Sequence, residues 1–194
     1  HELLDTMARC DKVAKHLHLP FQSGSNRVLA EMNRRYTREK YLSLLEYAYS
    51  VMPELSVTSD VIVGFPGETY EEFRETVSLV QQANFTSMYT FIFSPREGTK
   101  AASMPDPVSR EEKGRWFKEL LDAQEVIAAK RTASAVGKVY RVLCESVSKG
   151  GLIEGRTEGN VIVEFPADSS VIGTFRNVKV TESLTWILRG ELAD

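Results

Sequence analysis

The strongest constraint on this chain is a change of pattern near Ser134. Before it, short β-rich runs alternate with helical stretches; after it, every run is short, β-rich and set off by glycine turns. Alternating strand and helix is the signature of βαβ units around a parallel sheet, whereas closely spaced short strands belong to a small barrel or sandwich. The first region predicts strands over His16–Phe21, Val57–Val63 and Ser87–Phe93. Helical patterns run over Asn26–Met32 and Arg38–Val51, the second with Tyr41, Leu44, Leu45, Ala48 and Tyr49 on one stripe. Thr69-Tyr70-Glu71-Glu72 is a capping box in front of Phe73, Val77 and Val80, which face the sheet, and Ser109-Arg110-Glu111-Glu112 is a second one opening a helix through Trp116, Leu120, Ala123 and Ile127 to about Thr132. Beyond the bridge, runs at Lys138–Ser146, Leu152–Arg156, Val161–Phe165 and Gly173–Val180 predict a small antiparallel barrel. The expected domains are therefore residues 1–134 and 135–194.

Composition excludes several classes. With 42% apolar and 26% charged residues the 194-residue chain is globular, and no apolar run reaches the roughly 18 residues of a membrane span. No signal peptide is apparent, which points to a soluble, cytoplasmic protein. Cys10 and Cys144 stand 134 positions apart and read as buried thiols rather than a disulfide. Charge is near balance on both sides of Ser134, 17 basic against 19 acidic residues before it and 7 against 8 after it, so any nucleic-acid contact must come from a local patch. Glu2–Ala8 already reads as helix, with Leu3, Leu4 and Met7 at helical spacing, and His1 stands first, so the chain reads as beginning inside a fold.

Ligands of parallel α/β folds sit at the carboxyl ends of strands, where loops vary on a rigid sheet. The first such end is His18-Leu19-Pro20-Phe21-Gln22-Ser23-Gly24-Ser25, which offers amides and hydroxyls to a ligand, or is an ordinary turn with Ser25 as N-cap. The second is Asp60-Val61-Ile62-Val63-Gly64-Phe65-Pro66-Gly67-Glu68-Thr69; its glycines admit a close approach of backbone to a bulky group. There Asp60 is a pocket acceptor or a satisfied core acid, and Glu68 a ligand-site acid or a complement to the helix dipole. The third is Tyr89-Thr90-Phe91-Ile92-Phe93-Ser94-Pro95-Arg96, whose aromatic alternation reads as packing and whose Arg96 suits an anion or a neighbouring acid. No serine elbow, Walker loop or nicotinamide fingerprint is present, and His16 with His18 lacks further partners for a zinc site.

Taken together, these loops, with Met32-Asn33-Arg34-Arg35-Tyr36-Thr37 and Gly98-Thr99, resemble the radical S-adenosylmethionine methylthiotransferases, which insert sulfur and a methyl group into tRNA or a ribosomal protein. Glu154-Gly155-Arg156-Thr157 and Leu188-Arg189-Gly190 resemble the family's RNA-binding TRAM barrel. Gln22-Ser23-Gly24-Ser25 and the Tyr89–Ser94 run are most similar to the branch that acts on N6-isopentenyladenosine beside the tRNA anticodon; the threonylcarbamoyl-adenosine and ribosomal-protein branches are the alternatives. The resemblance implies the last three strands of a partial parallel (β/α) barrel followed by TRAM. It also implies S-adenosylmethionine and two [4Fe-4S] clusters as cofactors of the parent enzyme. The family's cluster cysteines are absent from this chain, so it is expected to be inactive alone.

On the same resemblance, Gln22, Ser23 and Ser25, with Asp60, Gly64, Phe65, Pro66, Gly67 and Glu68, wall the adenosyl and ribose groups. Phe93, Ser94 and Arg96 close the rim, and Arg34 is a candidate for the methionyl carboxylate. Because the cofactor carries the hard step, the protein chiefly positions it and excludes water, which needs no acid–base pair. For a tRNA anticodon stem-loop the barrel offers Lys138, Arg141, Lys149, Arg156, Arg176 and Arg189 to phosphates and Asn160 to a base. Neither DNA nor a membrane is an expected partner, and half a barrel leaves edges and an apolar inner face that favour dimerisation. Two rival readings are a non-catalytic tRNA-binding module and an unrelated α/β enzyme holding a phosphorylated metabolite at Gly64–Thr69.

Overall fold

A computed structural model describes residues 1–193. The chain divides into two units, one of His1, Leu17–Ser50 and Val57–Glu125, the other of Glu2–His16, Val51–Ser56 and Val126 onward.

In the α/β unit the strands β1 (His16–His18), β2 (Ser56–Val63) and β3 (Ser87–Ile92) form a sheet in that order, with helices α2 (Asn26–Glu31), α3 (Arg38–Val51) and α4 (Tyr70–Ala83) between them; α1 is Glu2–Arg9. β2 and β3 pair in parallel from Thr58 opposite Ser87 to Val63 opposite Ile92. The two faces of β2 differ sharply: Val57, Ser59, Val61 and Val63 are buried, while Thr58, Asp60 and Ile62 are only partly so. Phe73, Val77, Leu79 and Val80 of α4 and Tyr41, Leu45 and Ala48 of α3 are buried in this unit's core, with Phe21 stacked on Phe85 at 5.5 Å. The capping box at Thr69 is complete: its hydroxyl accepts from the Glu72 amide and Glu72 accepts from the Thr69 amide. At Ser109 only half of the expected box forms. Its hydroxyl accepts from the Glu112 amide, but the Glu112 carboxylate instead takes the Trp116 indole N–H at 2.9 Å.

The first strand is shorter than its composition predicts. β1 stops at His18 because Pro20 has no N–H for the ladder and Gln22 adopts a left-handed φ of 67°. The chain nevertheless stays beside β2. Leu19 N–H donates to Thr58, Gln22 N–H to Asp60, and Ile62 N–H to Gln22, while the Ser59 hydroxyl spans the gap by donating to the Leu19 carbonyl and accepting from the Phe21 amide. The result is a polar loop pinned to a strand rather than a strand. Helix α5 runs Arg110–Ala133.

The second unit contains a closed barrel of β4 (Val139–Val147), β5 (Ile153–Thr157), β6 (Ile162–Phe165), β7 (Phe175–Ser183) and β8 (Ile187–Leu192), joined in the order β4-β5-β6-β8-β7. Val142, Cys144, Ile153, Val163, Phe165, Val178, Val180 and Leu188 fill it. Two expectations change here. The barrel is not wholly antiparallel, since β6 and β8 pair in parallel, Val163 opposite Leu188. A fifth strand, β8, makes the closure by pairing with β7 on its other side. In the same unit α1 buries Leu4 and Met7 but leaves Leu3 65% exposed, so the three do not share one buried face. Lys15 terminates α1 by donating from Nζ to the carbonyls of Met7, Ala8 and Cys10.

Candidate functional site at the carboxyl ends of the parallel strands

The partly exposed face of the α/β sheet carries a cavity of about 460 Å³ lined by Gln22, Asp60, Ile62, Phe91, Ile92, Phe93, Ser94, Arg96, Thr99 and Ala101. Five of the expected site residues, Gln22, Asp60, Phe93, Ser94 and Arg96, therefore meet at one place. Register explains it: Asp60 lies opposite Tyr89 and Ile62 opposite Phe91, so these side chains share a face. Tyr89 is 59% and Phe91 53% exposed. The aromatic alternation of β3 is thus not interior packing; it presents rings on the open face. A second cavity of about 340 Å³ lies beside Phe93, Ser94 and Pro95, with Asp106, Arg110 and Lys113 in its wall.

Asp60 is neither free nor a core acid. Its carboxylate stands 3.4 Å from His18 Nε2, while His18 Nδ1 is 2.9 Å from the Thr58 hydroxyl and the His18 ring meets Tyr89 edge-on at 6.0 Å. His18 thus joins the cluster although its sequence position offered only a strand-face histidine.

The second loop is built around glycine and a buried acid. Gly64 has φ 72°, and a Cβ there would meet the aliphatic stem of Lys113 at 2.5 Å, so the buried Lys113 packs directly on the backbone while its Nζ reaches Asp106 at 2.5 Å. Phe65 and Pro66 are buried, Phe65 meeting the Phe93 ring in a T at 5.3 Å. Glu68 is 1% exposed. One carboxylate oxygen accepts from the Gly64 amide at 2.6 Å and the other has no hydrogen-bond partner among the described residues. Burial raises its pKa to about 7, against the opposing pull of the Gly64 and Phe65 amides and of Lys113.

Ser23 and Ser25 turn inward. Ser23 is fully buried and its hydroxyl accepts from the Ser25 amide; Ser25 caps α2, accepting from Val28, and donates to Glu72. Arg34 is exposed, its backbone amide closing the end of α2 on Leu29.

On the barrel, most of the cations expected to meet RNA already face acids. Lys138 lies 3.8 Å from Glu54, Arg141 3.8 Å from Glu158, Arg156 3.1 Å from Glu145, and Arg189 3.7 Å from Glu164 and 3.5 Å from Glu182. Asn160 accepts from Arg156 at 3.1 Å. Lys149 and Arg176 are exposed without an ion pair among the described residues. Arg141 also lies over the ring of the half-exposed Phe175, 3.9 Å from its centroid, which sequence reading overlooked. Among the described residues no group of three His, Cys, Asp or Glu side chains could hold a metal ion, and no helix is long and apolar enough to cross a membrane. The open cavity sets the Asp60 carboxylate beside the rings of Phe91 and Phe93, a hydrogen-bond acceptor next to flat apolar surface.

Residues 1–80 match the family described as "Radical SAM superfamily", and residues 133–193 match the "TRAM domain". Among curated proteins, the chain is 45% identical over 195 aligned positions to the tRNA-2-methylthio-N(6)-dimethylallyladenosine synthase of Thermoanaerobacter sp. (strain X514), covering 100% of this chain and 41% of that protein. It is 46% identical over 192 positions to the protein of the same name from Alkaliphilus oremlandii (strain OhILAs), covering 98% of this chain and 41% of that one. The chain thus spans about two fifths of the length of these relatives. A solved structure of coproporphyrinogen III oxidase from Escherichia coli, described as a radical SAM enzyme, superposes with a TM-score of 0.50 at 16% identity, covering 86% of this chain and 46% of that one. That likeness concerns the fold.

Proposed function

We propose that this chain, a radical SAM segment followed by a TRAM domain, is the C-terminal part of an enzyme that 2-methylthiolates N6-dimethylallyladenosine in tRNA. What carries the reading is identity of 44–46% along nearly the whole chain to synthases named for that product. The open sheet face supports it, because Gln22, Asp60, Phe91, Phe93 and Arg96 line one cavity at the carboxyl ends of the strands. The domain division at residue 134 follows the same reading.

S-adenosylmethionine, when bound, supplies the methyl group and the radical chemistry that the superfamily's name denotes. The residues of this chain that would hold it are Asp60, fixed by His18, as a hydrogen-bond acceptor, and Phe91 and Phe93 against its flat part. Where the ligand meets the rings of Phe91 and Phe93, their apolar faces would displace water. Iron–sulfur clusters belong to parts of the longer protein outside this chain. The barrel binds the anticodon stem-loop of a tRNA in the cytoplasm, and the rest of the longer protein covers the open sheet face.

The test is nucleoside mass spectrometry of tRNA from source cells with and without the parent gene. Loss of 2-methylthio-N6-dimethylallyladenosine with accumulation of its unthiolated precursor is expected. Loss of the threonylcarbamoyl analogue instead would move the chain to another branch, and no change in any thiolated nucleoside would remove the tRNA-modifying reading.

The RNA contact has its own expected result. A cation that neutralises one phosphate contributes about one unit to the slope of log affinity against log salt. Arg176→Ala and Lys149→Ala are each expected to lower that slope by roughly one for tRNA binding, whereas Arg189→Ala, which loses a cation already shared by two carboxylates, changes it by about half or less. Equal slopes across all three variants would place the RNA elsewhere.

A further inference from the structure

The Gln22–Ser25 loop, which lines the cavity through Gln22, and the Gly64–Gly67 loop, whose Phe65 packs on the cavity residue Phe93, lie about 40 residues apart in the chain, yet one carboxylate joins them. A carboxylate has roughly four lone-pair positions, and Glu72 fills all four. Oε1 accepts from the Ser25 hydroxyl at 3.3 Å and Arg27 Nε at 2.5 Å; Oε2 accepts from the Thr69 amide at 2.9 Å and Arg27 Nη2 at 2.6 Å. Arg27 Nη2 also donates to the Gly67 carbonyl at 2.7 Å. The first loop enters through Ser25, the second through Gly67, and the helix that follows it through Thr69.

We propose that the Arg27–Glu72 pair is a clasp that fixes the separation of the Gln22–Ser25 and Gly64–Gly67 loops, making Arg27 a positioning residue for the adenosyl-bearing cofactor. The inference rests on the cofactor reading above. The geometry demands a guanidinium: the Nε–H and one Nη2–H meet the two carboxylate oxygens while the second Nη2–H reaches a carbonyl, and an ammonium on a flexible stem cannot satisfy all three acceptors in fixed directions. The Arg27 side chain is 49% exposed while Glu72 is 15% exposed, so the clasp closes over the loops from outside without forming part of the core.

The experiment compares Arg27→Gln, Arg27→Lys and wild type in the full-length protein that contains this chain. Two readouts are taken: backbone amide exchange over residues 64–69, with residues 38–51 as internal control, and equilibrium dialysis against S-adenosylmethionine. Arg27→Gln is expected to speed exchange at 64–69 and weaken cofactor binding, each about tenfold, with α3 unchanged and Arg27→Lys recovering only part of both. Unchanged exchange in Arg27→Gln overturns the clasp. Faster exchange with unaltered affinity overturns its role in positioning the cofactor, as does full recovery by lysine. If wild type itself fails to bind S-adenosylmethionine, the cofactor reading falls, and this is distinguishable because the exchange measurement still reports the clasp separately.

Discussion

Gly24→Ala is expected to lower the stability of the α/β unit by roughly 1–3 kcal/mol, the range for forcing an extra methyl into a packed interior. A Cβ at Gly24 would lie 2.5 Å from the Glu75 carbonyl oxygen and from the backbone N and Cα of Thr76. All three are main-chain atoms inside α4, so no side-chain rotation relieves the contact. One side must move, and α4 cannot, because Phe73, Val77 and Val80 are already buried. The loop cannot easily move either: the Gly24 amide donates to the buried Thr76 hydroxyl at 2.8 Å, and lifting it leaves both groups unsatisfied. Trp116, 3% exposed, lies in this unit and Trp186 in the other, so denaturant unfolding in a Trp186→Phe background reads the α/β unit alone. A midpoint within experimental scatter of the Gly24 protein would show that the loop has room the structure denies it.

Much of this arrangement was written locally and could be read. The Thr69–Glu72 capping box, the buried stripes of α3 and α4 and the three strand ends follow from periodicity and cap chemistry within a few residues. Gathering Gln22, Asp60, Phe93, Ser94 and Arg96 required only that the strands be parallel and adjacent, since their carboxyl ends then meet. Other features depended on partners far away in the chain. Glu72 looked complete as half of a capping box, and nothing near Arg27 announces that it reaches across 45 positions to the same carboxylate. The Phe91 and Tyr89 pattern is the same whether an alternating strand faces core or solvent; only register against Asp60 and Ile62, on the uncovered side, decides it.

The barrel shows the same division. Its inward residues on β4 through β7 alternate visibly, whereas β8 contributes Leu188 and Gly190 inward, one of them without a side chain, so its alternation is too faint to register as a strand. Its parallel pairing with β6 is a closure condition of the whole ring, absent from either segment alone. Charge behaves alike: counting cations says how many there are, but the ion pairs of Arg141, Arg156 and Arg189 with Glu158, Glu145 and Glu182 form only once β4 lies beside β5 and β7 beside β8.

Glu68→Gln is expected to remove a pH dependence of about 3 kcal/mol between pH 4.5 and 8. The folded-state pKa of Glu68 is raised to about 7 from 4.5, with burial the largest cause, and each unit is worth about 1.4 kcal/mol. The sign follows from proton counting. Between the two values the folded protein holds a proton that the unfolded chain has released, so stability from this group is greatest below pH 4.5 and falls as pH rises through 7. Glutamine imitates the protonated form, keeps an acceptor for the Gly64 amide, and carries no charge to desolvate. The variant should therefore match wild type near pH 4.5 and exceed it by about 3 kcal/mol at pH 8, the difference between the two cancelling every other titrating group. Unfolding midpoints of both proteins across that range, read at Trp116 in the Trp186→Phe background, measure it. A constant difference would mean that the Gly64 and Phe65 amides and Lys113 outweigh burial and keep Glu68 ionised throughout. The expected result identifies an acid held at the edge of its charge in the loop beside the candidate site, a cost to the fold that the Gly64 and Phe65 amides and Lys113 offset only in part, since one carboxylate oxygen has no partner among the described residues.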